Sequence, residues 1–326
     1  MKSRYKIYKE YEKYKQKYDK NSLDDLCGKK NNEFILQPQQ LFLKEYFKNN
    51  SDSIKQFLLY HEIGSGKTCT SIILAEDFLK LNDTNKIIII LPARLKNNFY
   101  DELITPCTNY KYFTKEEYLE YLNSDIPILK KEKLREKFIK ELDRKYTVIS
   151  YDRFRLDAMK NSKNILEYLN EFSKNSMIII DEVHNLISDC YPLQTYINIE
   201  KTGKLENVKS LSINAVLLKL LSKFSHNTTK LLYLTATPIY DSFKELPELV
   251  YILNPEKNNN IETALLNAST NDNLEKLRGK ISYFPGASKK AYPTPKIITF
   301  NLEMSKIQDK MTAEILQKEE DKDEIE

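Results

Sequence analysis

Glycine is scarce in this chain of 326 residues: there are six, beside four cysteines and three histidines. Cys27, Cys69, Cys107 and Cys190 stand far apart, in neither a disulfide framework nor a zinc-ligand spacing, so the sequence is read as one with reduced thiols. No apolar run reaches the ~20 residues that span a bilayer. The longest clusters, KIIIILPA and SMIIIDE, are strand-sized, and no membrane partner is expected. The start, MKSRYKIYKEYEKYKQKYDK, lacks the apolar stretch of a secretory signal, so secretion is not expected either. Internal repeats are absent. What is present is a balance typical of soluble globular chains, 41% apolar and 30% charged residues. The net charge of +4 permits nucleic-acid binding without demanding it.

Tyr5, Tyr8, Tyr11, Tyr14 and Tyr18 recur at helical spacing among lysines. Such a face either packs on the protein body or a partner, or stacks on bases and grips phosphates. From residue 54 onward, apolar runs alternate with helical patterns. Strands are predicted over 54–60, 86–92, 146–151, 176–181 and 230–236. Their near-continuous Ile and Leu, without period-two alternation, marks strands covered on both faces, hence an α/β fold with a parallel sheet between helices. A charged, helical stretch at 111–145 reads as a surface insertion, and 190–210 reads as a loop. After LNP (253–255) come an Asn-rich break, a further helical segment and an acidic end, LQKEEDKDEIE.

Two of the six glycines fall in LLYHEIGSGKTCTSIILAEDF, residues 58–78, between a strand-like and a helix-like run. A turn is one reading. The other is a phosphate loop, in which the main chain at Gly64, Ser65 and Gly66 and at the helix start (Lys67, Thr68, Cys69) closes on an anion at the positive end of the helix dipole. Lys67 then reaches the β- and γ-phosphates and the Thr68 hydroxyl ligates Mg²⁺. The pattern G-x-x-x-x-G-K-[ST] has His61 in place of its first glycine. In MIIIDEVHN (177–185) an apolar strand delivers Asp181, suited to holding Mg²⁺, and Glu182, suited to orienting and deprotonating water. LLYLTATPI (231–239) ends another strand in Thr235 and Thr237.

In that order, HEIGSGKT, DEVH and LTATP resemble motifs I, II and III of superfamily 2 helicases and translocases. LQPQQLFL (36–43) resembles the upstream adenine-recognition element, which implies that Gln40 contacts adenine. LPARLKNNFYDEL (91–103) and VISYDRF (148–154) resemble motifs Ia and Ib. LTATPIYDSFKELPELVYILNP is similar to the Swi/Snf branch. His61, DEVHN and LRGKISYF (277–284) are similar to the helicase-like ATPases of large cytoplasmic DNA viruses, the poxvirus nucleoside triphosphate phosphohydrolase and early transcription factor type.

The resemblance covers about residues 33–310 and implies a RecA-like first motor domain at 31–255 with an insertion at about 105–145. A Tyr/Lys-rich helical segment (1–30) precedes it. The stretch 256–326 leads toward a second RecA-like domain, in the same or another chain, whose motifs IV to VI are not found here. It implies ATP and Mg²⁺ as cofactors and catalysis through Lys67, Asp181 and Glu182. Thr68 and Asp181 would hold the metal, and His184, Thr235 and Thr237 would couple the ATP and nucleic-acid sites. Arg94 and Lys96 would touch the backbone of nucleic acid, of duplex DNA in a translocase. The expected setting is viral transcription in the host cytoplasm or virion, beside viral RNA polymerase or transcription factor subunits. Two other readings are a non-catalytic nucleotide-binding scaffold and a small-molecule kinase. The kinase reading leaves LTATP and Gln40 unexplained.

Overall fold

Strands form at every place the sequence marks: β1 (Gln56–His61), β2 (Lys86–Leu91), β3 (Tyr146–Ser150), β4 (Ser176–Ile180) and β5 (Lys230–Thr235), the runs being almost wholly buried except in β3, where Thr147 is exposed. A sixth, β6 (Ile281–Phe284), joins them. The computed structural model describes residues 9–14, 34–187, 193–205, 213–239, 245–255, 275–285, 305, 307–308 and 310–312. The strands are all parallel, in the order β3-β2-β4-β5-β1-β6.

Side chains along each strand point alternately to the two faces. Ile88, Ile90, Ile178, Ile180, Leu231 and Tyr233 enter one core; Ile87, Ile89, Ile179, Leu232 and Leu234 enter the other. Both faces are therefore apolar, and helices cover both. On the second core lie α1 (Pro38–Asn50), α2 (Lys67–Leu79), α3 (Lys96–Leu103), α4 (Lys115–Leu122) and α5 (Ile128–Leu142). On the first lie α6 (Tyr151–Lys160), α7 (Ile165–Ser173), α8 (Leu193–Thr202), α9 (Ile213–Phe224) and α10 (Glu245–Leu253). Each fully buried Ile or Leu contributes about 1.5–3 kcal/mol over an exposed one. This is the RecA-like arrangement expected.

Because the strands are parallel, every strand-to-helix turn carrying a motif lies at the same, carboxyl edge. The order places the turns after β1, β5 and β4 side by side, with those after β2 and β3 continuing the row. Ligands of open α/β sheets bind at this edge.

The structure departs from the sequence reading in several places. The segment 193–202 is helix α8 rather than loop, because Tyr196 and Ile199, three apart, are both buried. Residues 188–192 and 206–212 lie outside those described. Strand β6 was not foreseen, since its four residues are only half-buried or exposed and its run is short. The charged stretch before β3 is helical as expected, yet it buries Phe113, Phe138 and Leu142 against the core. Tyr11 packs edge-on against Phe42 at 5.2 Å, and the Tyr14 hydroxyl donates to Glu45, so these two tyrosines belong to the protein body. Tyr5, Tyr8 and Tyr18 lie outside the described residues. The chain divides into two compact units, 1–287 and 288–326; the second has helical backbone at 307–308 and 310–312.

The expectation of reduced thiols is corrected. Cys69 in α2 and Cys107, in the short 3₁₀ helix Pro106–Thr108, form a disulfide with their Cα atoms 5.4 Å apart. The pair was invisible to spacing rules because the fold, not the sequence, brings its partners together across 38 residues. Closing a loop of that length constrains the unfolded chain by about 3–4 kcal/mol on the chain-entropy account. Cys107→Ser is expected to lower unfolding stability by that amount in urea, and reductant to shift the wild-type midpoint equally. An unchanged midpoint under reductant would show that the bond adds nothing.

Candidate active site

Position 66 must turn the chain from strand into helix while leaving its N–H groups free. Gly66, the N-cap of α2, does so in the left-handed region (φ 75°, ψ 29°), and Gly64 two residues earlier has φ 76°. A side chain at 66 would also meet Gln40: an added Cβ lies 3.0 Å from Gln40 Nε2. So the two glycines that stood out in a glycine-poor chain are both required by backbone geometry. The main-chain carbonyl of Gly66 accepts from Thr70 N–H and the Thr70 hydroxyl, both at 2.9 Å, and from Gln40 Nε2 at 3.4 Å. The helix that follows has its first N–H groups free of side-chain caps, a ready anion site.

Lys67 begins α2 and its side chain is 11% exposed. Its Nζ lies 3.9 Å from Glu182 Oε1 across the gap between β1 and β4. Asp181, immediately after β4, is 7% exposed. Burial pushes its carboxyl up to about 6, and Glu182 adds to the rise against the pull of Lys67. A carboxylate held in so dry a place is costly without a cation. Among the described residues no group of three or more His, Cys, Asp or Glu side chains is placed to hold a metal ion by itself. One buried carboxylate, with the hydroxyl that Thr68 offers in the first turn of α2, would suit Mg²⁺, which binds through one or two protein groups plus phosphates and water.

Glu182 has φ 52° and ψ 48°, a left-handed conformation that costs a non-glycine residue about 1–2 kcal/mol. Its Oε2 lies 3.3 Å from His184 Nδ1, which is also 2.9 Å from the buried Thr235 Oγ1. Thr235 in turn accepts from Thr237 N–H at 3.0 Å. Burial holds the His184 pKa down, so the ring is neutral at pH 7. A chain of contacts thus runs from the acid pair through His184 to the end of β5.

His61, at the end of β1, is fully buried; its Nε2 lies 2.9 Å from Ser282 Oγ on β6 and its Nδ1 has no partner among the described residues. Burial, then the charge of Lys67, lower its pKa to about 4. His61 therefore joins the loop to the edge strand rather than lining its surface. Gln40 is 5% exposed, with Oε1 accepting from Gln37 N–H at 2.9 Å and Nε2 on Gly66, so it braces the loop. Ser65 is buried, with its hydroxyl unpartnered among the described residues. The Cys69 sulfur is committed to Cys107, which leaves only its main chain for a nucleotide. Arg94 and Lys96, just past β2, are exposed and without ion pairs among the described residues. Sequence reasoning missed Tyr151, whose hydroxyl donates to the Asp181 carbonyl; its signal was the Tyr of VISYDRF.

Residues 32–240 match the family described as type III restriction enzyme, res subunit. A protein of Acanthamoeba polyphaga mimivirus named "Putative ATP-dependent RNA helicase" is 30% identical over 96% of this chain and 51% of its own length. One of Invertebrate iridescent virus 3, named "Putative helicase", is 30% identical over 72% of this chain and 23% of its own. The "Nucleoside triphosphatase I" of Choristoneura biennis entomopoxvirus is 24% identical over 69% and 28%. The chain spans about half the length of the first of these relatives and under a third of the other two. It belongs to the helicase-type family described as type III restriction enzyme, res subunit, and carries the helicase-like ATPase domain found in superfamily 2 helicases of large DNA viruses.

Proposed function

We propose that the chain is the first motor domain of a nucleic-acid-dependent ATP hydrolase, a translocase on duplex DNA that serves viral transcription in the host cytoplasm. The observation that carries this reading is the convergence of Lys67 with Glu182, beside the buried Asp181, at the mouth of a loop built to hold phosphate. Lys67 binds the β- and γ-phosphates and neutralises charge as it develops. Glu182 orients a water in line with the γ-phosphate and takes its proton. The magnesium ion that Thr68 and Asp181 would hold supplies further charge neutralisation on the phosphates. Main-chain N–H groups at the start of α2 cradle the phosphate oxygens. His184, Thr235 and Thr237 link this pocket to the nucleic-acid side. Arg94 and Lys96 lie at the same sheet edge and would meet phosphates without reading sequence.

Hydrolysis in this class is completed by an arginine from a second RecA-like domain, worth 10³–10⁵ in rate. The 326 residues alone are therefore expected to bind Mg-ATP and turn it over slowly, with little response to duplex DNA. Addition of a second RecA-like domain, in the same chain or another, is expected to bring DNA-stimulated turnover. The measurement is ATP binding and hydrolysis with and without duplex DNA, in both forms. Failure to bind ATP would leave a scaffold without a nucleotide site. Brisk DNA-stimulated turnover by the 326 residues alone would remove the need for a second domain.

A further inference from the structure

The turn after β4 asks something of its surroundings: Glu182 sits in the left-handed region, which a glutamate does not adopt for its own sake. The carbonyls on either side show what holds it there. The hydroxyl of Tyr151 donates to the Asp181 carbonyl and lies 3.0 Å from that of Glu182. The Glu182 carbonyl also accepts from Asn185 at 3.0 Å, through both its main-chain N–H and its side-chain Nδ2. Tyr151 does this from a distance in the fold. It is the first residue of α6, directly after β3, and β2 lies between β3 and β4 in the sheet. The phenol therefore reaches over the end of β2 to grip the acid pair. Burial, with the charges of Asp181 and Glu182, raises the pKa of this hydroxyl, so it stays a donor throughout the working pH range. The helix that begins with Tyr151 is itself fixed at its N-terminus by Ser150 Oγ, which accepts from Arg153 N–H at 3.1 Å.

We infer that Tyr151 is a positioning residue for ATP hydrolysis: its hydroxyl clamps the Asp181–Glu182 main chain so that the Glu182 carboxylate points at the place of the attacking water. The inference rests on the ATPase reading above. It assigns Tyr151 no contact with nucleotide, so its loss must act on the chemical step and leave binding alone.

Tyr151→Phe removes the donor and keeps the ring that packs against the core. In single-turnover hydrolysis of γ-labelled ATP by the 326-residue chain, the rate constant should fall about five- to tenfold, the loss of one hydrogen bond. Mg-ATP affinity should stay within twofold of wild type. Asn185→Ala, at an exposed position that removes another donor from the Glu182 carbonyl, should lower the same constant by less, and it tests the clamp even if Tyr151→Phe folds poorly. Equal rates for wild type and both variants would overturn the inference and leave the ATPase reading intact. A parallel loss of affinity and rate would overturn it too, since the residue would then serve nucleotide binding. A wild-type chain without any hydrolysis would defeat the ATPase reading and the inference with it.

Discussion

Glu182→Gln is expected to lower ATP turnover by about 10²- to 10⁴-fold while Mg-ATP affinity changes by no more than a few-fold. The range is that of a positioned general base. The substitution is isosteric, and the glutamate side chain is 29% exposed, so no core contact is lost. The loss falls on proton abstraction, because an amide still offers an oxygen to the water but cannot take its proton. Lys67 stays to bind phosphate, and Asp181 keeps its burial. The measurement is single-turnover hydrolysis of labelled ATP beside an equilibrium titration with a fluorescent nucleotide. Hydrolysis within threefold of wild type would remove Glu182 from the chemistry. A matched fall in affinity would instead place it among the phosphate-binding groups.

How far the sequence alone leads depends on which forces set each feature. Strands β1, β2, β4 and β5 were legible to within two residues because burial on both faces demands apolar side chains, as in Lys86–Leu91, where five of the six are buried. Strand β3, an edge strand with Thr147 exposed, showed through its Tyr-Thr-Val-Ile run instead. Strand β6 obeys no such demand: it lies at the edge, with Ile281 and Tyr283 exposed, and its four residues carry little pattern. Helix α8 hid in a stretch of mixed polarity because only Tyr196 and Ile199 are fully buried, while Leu193 and Ile197 pack on the core half-exposed. Composition pointed away from the Cys69–Cys107 bond, since the closeness of α2 to the Pro106–Thr108 turn is a property of the packed chain. In the site, Lys67, Asp181 and Glu182 could be picked out because glycines at fixed offsets and carboxylates after a buried strand are costly arrangements with few purposes. The role of Tyr151 could not be read, because it depends on two strands that follow one another in sequence but are held apart in the sheet by β2.

Lys67→Ala is the change expected to weaken nucleotide binding most, by about 10²-fold for Mg-ATP, as two charge-assisted bonds to phosphate are lost at roughly 1.5 kcal/mol or more each. The lysine has a second duty, visible in the free protein. Its charge favours the ionised form of Asp181, opposing a burial that already lifts that carboxyl to about 6. It is also the cation facing Glu182, at 3.9 Å. Without it the Asp181 pKa rises further, and two neighbouring carboxylates face each other with less compensation. Lys67→Ala should therefore lose affinity for the metal-nucleotide complex beyond its own contacts, whereas Lys67→Arg, which keeps the charge but not the compact ammonium, should retain part of it. Titration of wild type and both variants with Mg-ATP separates the readings of the site. Ordered loss, Ala worst and Arg between, follows from a pocket in which one cation serves both phosphate and acid pair. Equal affinity in all three would mean that nucleotide does not bind at this loop, and the convergence of Lys67 with Glu182 would then be an ion pair of the fold alone.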